Sequence, residues 1–350
     1  MSEPETSAGN LEIAPLSAAD RAAWDAYVEA HPEGTFFHRS GWMDAIEQGF
    51  GHRCHHLLAR RDGRIVGVLP LGEIRSRLFG HSLISTPFCV YGGPVADDRT
   101  VEDALIESAC DLAERLGVDY LELRNRRPMR PDWPRKDLYV TFRRRIEADD
   151  EANMKAIPRK QRAMVRKGIK AGLRSEVDAD TDRLFEAYSE SVRNLGTPVF
   201  PKRWFETLRQ VFGDDCEILT VTREGRTLAS VMSFRFRDEI LPYYGGGTAE
   251  ARDCKGNDFM YWEVMRRAAA QGLRWFDYGR SKRDTGSFSF KKNWGFDPEP
   301  LYYEYYLVKA GALPDVSPKN PKYRYFIALW QRLPLWLSRR LGPLLARSLG

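Results

Sequence analysis

The chain has 350 residues, of which 43% are hydrophobic and 12% aromatic, so it can fill the cores of two domains of ordinary size. A formal net charge of +5 is too small for a protein that coats nucleic acid, although the basic residues are clustered. Five scattered cysteines without a CxxC pair indicate reduced thiols, which are typical of a cytoplasmic protein.

The N-terminal segment, residues 1–10, is polar and acidic, and we expect it to be disordered. It has no apolar region of a secretory signal, and no run of 18 uncharged apolar residues occurs elsewhere in the sequence. The sequence therefore predicts a cytoplasmic protein that does not span a membrane.

A series of features in the first half of the chain recurs in the second half. The first series is a β-hairpin at 56–71, Tyr91-Gly92-Gly93, a helix over Val101–Leu116, its end at Gly117, and strands over Asp119–Arg124 and Leu138–Ile146. The second series is a β-hairpin at 218–234, Tyr244-Gly245-Gly246, a helix over Asp258–Ala270, its end at Gly272, and strands over Arg274–Tyr278 and Leu301–Val308. Both helices are followed by glycine, which supplies a left-handed cap.

Two similar hairpins can arise by chance, but the ordered recurrence of the whole series indicates two copies of one domain. Each copy is predicted to be a mixed α/β domain, in which an antiparallel hairpin leads into a βαβ segment. We expect a first domain at 11–150, a second at 151–310, and a linker with an amphipathic tail at 311–350.

A strongly basic segment, residues 153–174, separates the two copies and is predicted to be a helix. Seven of the sixteen residues from Arg159 to Arg174 are basic and none is acidic. In a helix, Val165, Ile169 and Leu173 would form an apolar stripe. A basic stripe beside it would consist of Arg159, Arg162, Arg166 and Lys170. A solvated linker is one interpretation. An anionic partner is the other, because like charges four residues apart destabilise a helix unless they are neutralised.

The most basic loop that we predict is DYGRSKRDTGSFSFKKNWG, residues 277–295, which follows a short strand. Within it, Lys291 lies between Phe290 and Lys292, and the neighbouring positive charge tends to lower the pKa of either lysine. The Lys291 ammonium can neutralise a phosphate, or stabilise the charge that develops on an acyl carbonyl when an amine attacks it. Alternatively, Lys291 is a surface side chain that lies over Trp294.

Three further patterns bear on the chemistry. Gly256 and Asn257 lead into the second helix, where Asn257 or Asp258 can be the N-cap and free backbone N–H groups can hold a phosphate, although Asp258 would repel it. All six histidines precede residue 82, so the second domain has no histidine base. We predict no metal site, because His52, Cys54 and His56 share a strand face without further ligands.

The tandem copies, the basic helix, YGG…GNDFMYWEVMRRA and DYGRS…SFKKNWGF resemble the FemAB-type proteins of the GNAT-like acyltransferase superfamily. They resemble more closely the FemAB-like proteins associated with exosortase/PEP-CTERM exopolysaccharide systems. The similarity covers roughly residues 11–310 and is most specific in the second copy. It implies two tandem GNAT-like lobes and transfer of an acyl or aminoacyl group to an amine of an envelope or exopolysaccharide precursor. It also implies acyl-CoA or aminoacyl-tRNA as co-substrate and no permanently bound cofactor.

The family's Phe-Lys pair falls on Phe290 and Lys291, and its strand-end Asp and following Arg fall on Asp277 and Arg280. Lys255 stands where the acyl-CoA pyrophosphate motif requires glycine after Arg252, which argues against acetyl-CoA. The long helical hairpin of some Fem ligases is also missing, which argues against tRNA. We predict Lys291, Asp277 and Arg280 as catalytic residues and Gly256 and Asn257 as donor-phosphate residues. The predicted substrate-binding residues are Arg159, Lys160, Arg162, Arg166, Tyr244, Lys282, Phe290 and Lys292.

The C-terminal segment Tyr323–Leu349 is rich in Trp, Leu and Arg, lacks acidic residues and is interrupted by Pro334 and Pro343. Such a helix lies either in the headgroup region of a bilayer or in an apolar groove of the protein. We expect peripheral membrane contact, because a lipid-linked acceptor would be found there. The acceptor would be an anionic, lipid- or nucleotide-linked sugar or peptide. The alternative function is a non-catalytic binding module of a polysaccharide assembly, and nucleic-acid binding ranks third.

Overall fold

The computed structural model describes residues 10–76, 79–313 and 321–348. Most of the N-terminal segment that we expected to be disordered, and most of the linker at 311–321, lie outside these described residues. The chain divides into two compact units. Unit 1 contains the chain up to Lys136 together with Tyr302–Leu313, and unit 2 contains Asp137–Leu301 together with the C-terminal helices.

Strands and helices of the described residues are labelled in chain order. The strands are β1 (Leu11–Pro15), β2 (Arg53–Cys54), β3 (Leu57–Arg61), β4 (Arg64–Leu69), β5 (Leu71–Ser76), β6 (Gly80–Ser85), β7 (Val95–Ala96), β8 (Tyr120–Asn125), β9 (Arg135–Lys136), β10 (Tyr139–Arg145), β11 (Arg174–Val177), β12 (Cys216–Arg223), β13 (Arg226–Phe236), β14 (Glu239–Gly247), β15 (Trp275–Asp277), β16 (Ser281–Lys282), β17 (Pro298–Pro300) and β18 (Tyr302–Leu307). The α-helices are α1 (Arg21–Ala30), α2 (Gly41–Phe50), α3 (Arg99–Leu116), α4 (Asp150–Ala156), α5 (Arg159–Lys170), α6 (Asp182–Asn194), α7 (Lys202–Phe212), α8 (Ala249–Asp253), α9 (Gly256–Ala270), α10 (Gly286–Asn293), α11 (Pro321–Arg332) and α12 (Leu335–Ala346).

Unit 1 has two sheets, with strand orders β1-β3-β4-β7 and β2-β5-β6-β8-β18-β9. The predicted hairpin is present as β3 and β4, and its turn residues Asp62 and Gly63 have φ of 51° and 78°. Two successive positive φ values match the turn that fits the twist of paired strands. The predicted helix is α3, and Gly117 ends it with φ of 61°. The core between α3 and the sheets includes Leu57, Leu105 and Leu121.

Unit 2 has one large sheet of order β11-β12-β13-β14-β15-β10-β16, with β17 beside β10. The second predicted hairpin is β12 and β13, with the same pair of positive φ values at Glu224 and Gly225. The two faces of β14 differ in their neighbours. Gly245 lies against Tyr261 of α9, whereas Gly246 lies against Tyr188 of α6, so these helices cover opposite faces of the sheet.

The two closing strands of the sequence repeat exist, but each pairs with strands of the other predicted copy. β10 pairs with β15 in unit 2, where Arg143 is opposite Asp277, and β18 pairs with β8 in unit 1, where Tyr305 is opposite Glu122. The compact units therefore divide at 136–137 and 301–302, rather than at the expected 150–151 and 310–311. The alternating aromatic pattern predicts a strand but not its partner, because both strands carry the same pattern.

The basic segment is not one helix over 153–174. Pro158, with ψ of 144°, separates α4 from α5, and the chain turns into β11 after Lys170. The buried face of α5 is Gln161, Val165 and Gly168, whereas Ile169, which was expected in the apolar stripe, is 46% exposed. The buried face differs from the predicted stripe because α5 contacts α9 at Gly168, where a Cβ would lie 2.8 Å from the Cβ of Phe259. The missing side chain lets α5 pack closely on α9.

No helix in the described part of the chain is long and apolar enough to cross a bilayer.

Candidate active site

The segment Asp277–Gly295, predicted as a loop, contains regular structure. It forms β16 and then α10, whose first turn is capped by Thr285 Oγ1 accepting the N–H of Phe288 at 3.4 Å. Gly295, with φ of 82°, turns the chain away after α10. The threonine before the helix and the glycine after it are the sequence signals that could have identified this helix.

Lys291 projects from α10 toward the end of β15. Its Nζ donates to the carbonyl oxygens of Gly279 at 2.9 Å and Arg280 at 3.0 Å, and it lies 5.8 Å from the ring centre of Phe142. The side chain is half-buried, and this burial lowers the pKa of Lys291 to about 7, helped by Arg280 and opposed by Asp277. Lys291 does not lie over Trp294, which is fully buried in the core.

Asp277 and Arg280 lie beside the same two carbonyls. The buried Asp277 carboxylate accepts the N–H of Gly279 at 2.7 Å and the hydroxyl of Thr141 at 3.2 Å, so it fixes the turn that presents both carbonyls to Lys291. Arg280 lies over the ring of Tyr139 at 4.6 Å. Lys282 lies over the same ring at 5.8 Å. The structure thus brings together four predicted residues, which are Asp277, Arg280, Lys282 and Lys291.

Three residues of β10, which are Tyr139, Thr141 and Phe142, complete this cluster and were not predicted. The sequence repeat placed their strand in the first domain, so nothing connected them with Lys291. Their position follows from the antiparallel pairing of β10 with β15. The pattern of the repeat alone could not have found them.

Because the pKa of Lys291 is lowered in the folded protein, the free energy of unfolding depends on pH. The unfolded lysine has a pKa of about 10.4, so between pH 7 and 10 the unfolded chain binds a proton that the folded chain lacks. The free energy of unfolding of the wild type, relative to Lys291→Met, should therefore rise with pH across this window, by at most about 1.4 kcal/mol per pH unit. Urea denaturation at a series of pH values measures the difference. A difference that stays flat across this window would contradict the lowered pKa of Lys291.

The start of α9 differs from the prediction. The N-cap is Lys255, with φ of 63°, and not Asn257 or Asp258. Lys255 thus has the left-handed backbone that glycine favours, although its side chain is not that of the acyl-CoA motif. Gly256 packs against Ala251, and Asn257 is half-buried beside Gly247. Phosphate binding by Gly256 and Asn257 stays a prediction.

Asp258 does not point toward a ligand at the end of α9. Its buried carboxylate accepts a hydrogen bond from the amide of Gln161, so it joins α9 to α5. Burial raises the pKa of Asp258 to about 6, and the hydrogen bond from Gln161 opposes the rise.

The basic residues of α5 fall into two groups. Arg159, Lys160 and Arg166 are exposed, whereas Arg162 donates to the carbonyls of Ile157 at 3.0 Å and Lys155 at 2.8 Å and so caps the end of α4. The start of α5 lies next to the end of α10, because Pro158 Cδ is 2.9 Å from the position of a Cβ at Gly295. The exposed basic residues therefore begin close to the helix that carries Lys291.

The remaining predicted residues are separated. Phe290 packs on Tyr261 with ring centres 5.6 Å apart, and Lys292 is exposed on α10. Tyr244 is buried on the α6 face of the sheet, opposite to α9, where its hydroxyl accepts the indole N–H of Trp204 at 3.1 Å. Substrate contact by Tyr244 therefore has no support in this geometry.

One family model matches a segment of unit 2. Residues 159–292 match the sequence model of the Acetyltransferase (GNAT) domain, so the match runs from the first residue of α5 to the penultimate residue of α10. No curated protein is a detectable relative of the chain.

Solved structures share the fold at low sequence identity. FemX superposes with a TM-score of 0.66 at 16% identity, over 85% of this chain and 98% of the FemX chain. The C-terminal domain of a putative lysylphosphatidylglycerol synthetase from Agrobacterium fabrum gives a TM-score of 0.55 at 14% identity, over 83% of this chain and 92% of that domain. A tandem GNAT protein from the clavulanic acid biosynthesis pathway gives 0.53 at 14% identity, over 85% and 98%. The expected mixed α/β fold of two sheet-bearing lobes with C-terminal helices is thereby confirmed, and residues 159–292 of unit 2 are similar to the Acetyltransferase (GNAT) domain.

Proposed function

We propose that unit 2 transfers an acyl or aminoacyl group from acyl-CoA or aminoacyl-tRNA to an amine of a cell-envelope or exopolysaccharide precursor. The observation that carries this proposal is the half-buried Lys291, whose ammonium is oriented by two carbonyls inside the segment that matches the GNAT domain. An ammonium has three N–H donors, and the two carbonyls leave one for a substrate oxygen.

The reaction needs stabilisation of an oxyanion more than it needs a base. The amine nitrogen attacks the acyl carbon, the carbonyl oxygen becomes negative, and the C–S bond of the thioester or the C–O bond of the ester then breaks. The attacking nitrogen loses its extra proton to the departing thiolate or alkoxide, or to water. Lys291 would donate its third N–H to the oxyanion, with Arg280 adding positive charge nearby. A neutral amine needs no histidine, and all six histidines precede residue 82.

The exposed residues Arg159, Lys160 and Arg166 would hold phosphates of the acceptor. A double variant, Arg159→Glu/Arg166→Glu, should raise KM for a nucleotide-diphosphate-linked acceptor about tenfold or more, and leave kcat nearly unchanged, because the charges act in binding. The control is Arg64→Glu/Arg115→Glu, which makes the same change in charge at exposed sites of unit 1. An unchanged KM in the α5 variant, or an equal rise in the control, would remove α5 from the acceptor site.

The donor is tested by thermal stabilisation of the full chain with acetyl-CoA, longer acyl-CoAs, aminoacyl-tRNA and nucleotide-diphosphate sugars. A ligand that binds the folded state raises the midpoint by mass action. A rise with one donor class, followed by product formation with that donor, would identify the reaction. A rise with sugars only, and no turnover with any donor, would favour the alternative function, a non-catalytic binding module in a polysaccharide assembly.

A further inference from the structure

The two C-terminal helices cover α6 of unit 2 with one face. Ile327 of α11 packs on the backbone of Gly196, and Gly342 of α12 packs on Val199, where a Cβ would lie 2.8 Å from the valine. Arg339 donates to the hydroxyl of Ser189 at 2.8 Å, and Trp330 is buried. The helices are therefore part of the folded unit, as one of the two sequence interpretations expected.

The opposite face of these helices is apolar and exposed. The large hydrophobic side chains that are exposed in the described part of the chain number eight, and five of them lie on α11 and α12. The most exposed are Tyr325 at 79%, Leu344 at 67% and Trp336 at 66%. Single exposed hydrophobic residues need no explanation, but a concentration of them on one pair of helices marks an interaction surface.

Arginines lie among these hydrophobic residues. On α12, Trp336, Arg340 and Leu344 recur every four residues and therefore share one stripe, and Arg347 extends it. No acidic residue follows Asp315 in the sequence. We call this surface the tail face, and it consists of Tyr325, Leu329, Arg332, Trp336, Arg340, Leu341, Leu344 and Arg347.

We propose that the tail face docks on a bilayer that contains anionic lipid. Tryptophan, leucine and arginine on one face of a helix suit the headgroup region, where the apolar groups enter the acyl boundary and arginine contacts lipid phosphate. A second copy of this chain suits the surface less well. A two-fold symmetric contact would bring arginines together without any carboxylate from α11 or α12 to neutralise them. The proposal does not depend on the reaction proposed above.

The test is co-sedimentation of the full chain with vesicles of phosphatidylcholine, with and without phosphatidylglycerol. Wild type should partition onto the mixed vesicles about tenfold or more strongly than onto pure phosphatidylcholine, and less strongly as salt is raised. Trp336→Ser/Leu344→Ser and Arg340→Glu/Arg347→Glu should each reduce this partition about tenfold or more. Arg64→Glu/Arg115→Glu is the control for charge, and Val177→Ser is the control for an exposed hydrophobic residue away from the tail face.

The thermal midpoint of each variant shows whether it is folded, and the two double variants act on independent side chains. Wild-type partition in both folded variants would overturn the proposal, as would equal binding to both vesicle types. Sedimentation velocity distinguishes the other occupant. A wild-type dimer that Trp336→Ser/Leu344→Ser converts to monomer, without vesicle binding by either protein, would assign the tail face to a second copy and overturn the lipid proposal.

Discussion

Lys291→Met is expected to lower the turnover of acyl transfer by about 10²- to 10³-fold, which is the usual cost of removing one donor to a developing oxyanion. Methionine keeps the length and packing of the side chain but cannot donate to the oxyanion. The carbonyls of Gly279 and Arg280 lose their partner, so the thermal midpoint of the variant is measured beside its rate. The measurement is single-turnover acyl transfer with the donor that stabilises the protein.

Lys309→Met is the control, because Lys309 is an exposed lysine of unit 1. Its rate should stay within about twofold of wild type, since surface charges that touch nothing have small effects. Equal rates for wild type and Lys291→Met would remove Lys291 from the reaction.

The pH profile separates charge from packing at the same position. The active form carries the ammonium, so kcat/KM should fall as pH rises above about 7, the pKa of Lys291 in the folded protein. Lys291→Arg keeps a positive charge at every pH of the assay, so whatever rate it retains should lack this decline. A rise through pH 7 in the wild type that is absent in Lys291→Arg would assign a base to Lys291 and contradict the proposed role.

Local patterns in the sequence were sufficient for much of the fold. The two hairpins follow from β-rich runs joined by a short turn, and the second turn residue of each is a glycine, Gly63 and Gly225, with positive φ. Gly117 predicts the end of α3, because glycine readily adopts the positive φ of a helix C-terminal cap. Lys291 could be singled out because it stands between an aromatic residue and a second cation, and that feature is local as well.

Features that depend on distant contacts could not be read in this way. The strand pattern of β10 is the same whether it pairs within its own copy or with β15, so Tyr139, Thr141 and Phe142 were missed at the site. Tyr244 follows a pattern that resembles Tyr91-Gly92-Gly93, but its face of the sheet is set by α6 and α7. Long-range packing overrides local pattern in both cases.

The largest effect on stability that we expect comes from a substitution in β18, the strand that pairs with β8 of unit 1. Glu304, at the centre of β18, is fully buried in unit 1. Its carboxylate accepts the amide of Asn125 at 2.6 Å and the backbone N–H groups of Met129 and Arg130, both at 3.1 Å. Glu304→Ala would leave three donors without this acceptor and a cavity beside them, at a cost of about 3–5 kcal/mol. Glu299→Ala, on the exposed side of β17, should cost less than about 0.5 kcal/mol.

Hydrogen–deuterium exchange shows which strands are destabilised in Glu304→Ala. It therefore tests whether β18 belongs to the sheet of unit 1. If β18 belongs to unit 1, Glu304→Ala should speed exchange in β8, its neighbour, and in the segment around Met129. Exchange in β14 and β15 should stay slow, because the strand that closes their sheet is β10. The sequence repeat assigns β18 to the second copy and so makes the opposite prediction. Under that assignment, Glu304→Ala would destabilise the sheet that contains β14 and β15. Faster exchange in β15 with β8 unchanged would therefore restore the boundary at 150–151 and separate β10 from the Lys291 site.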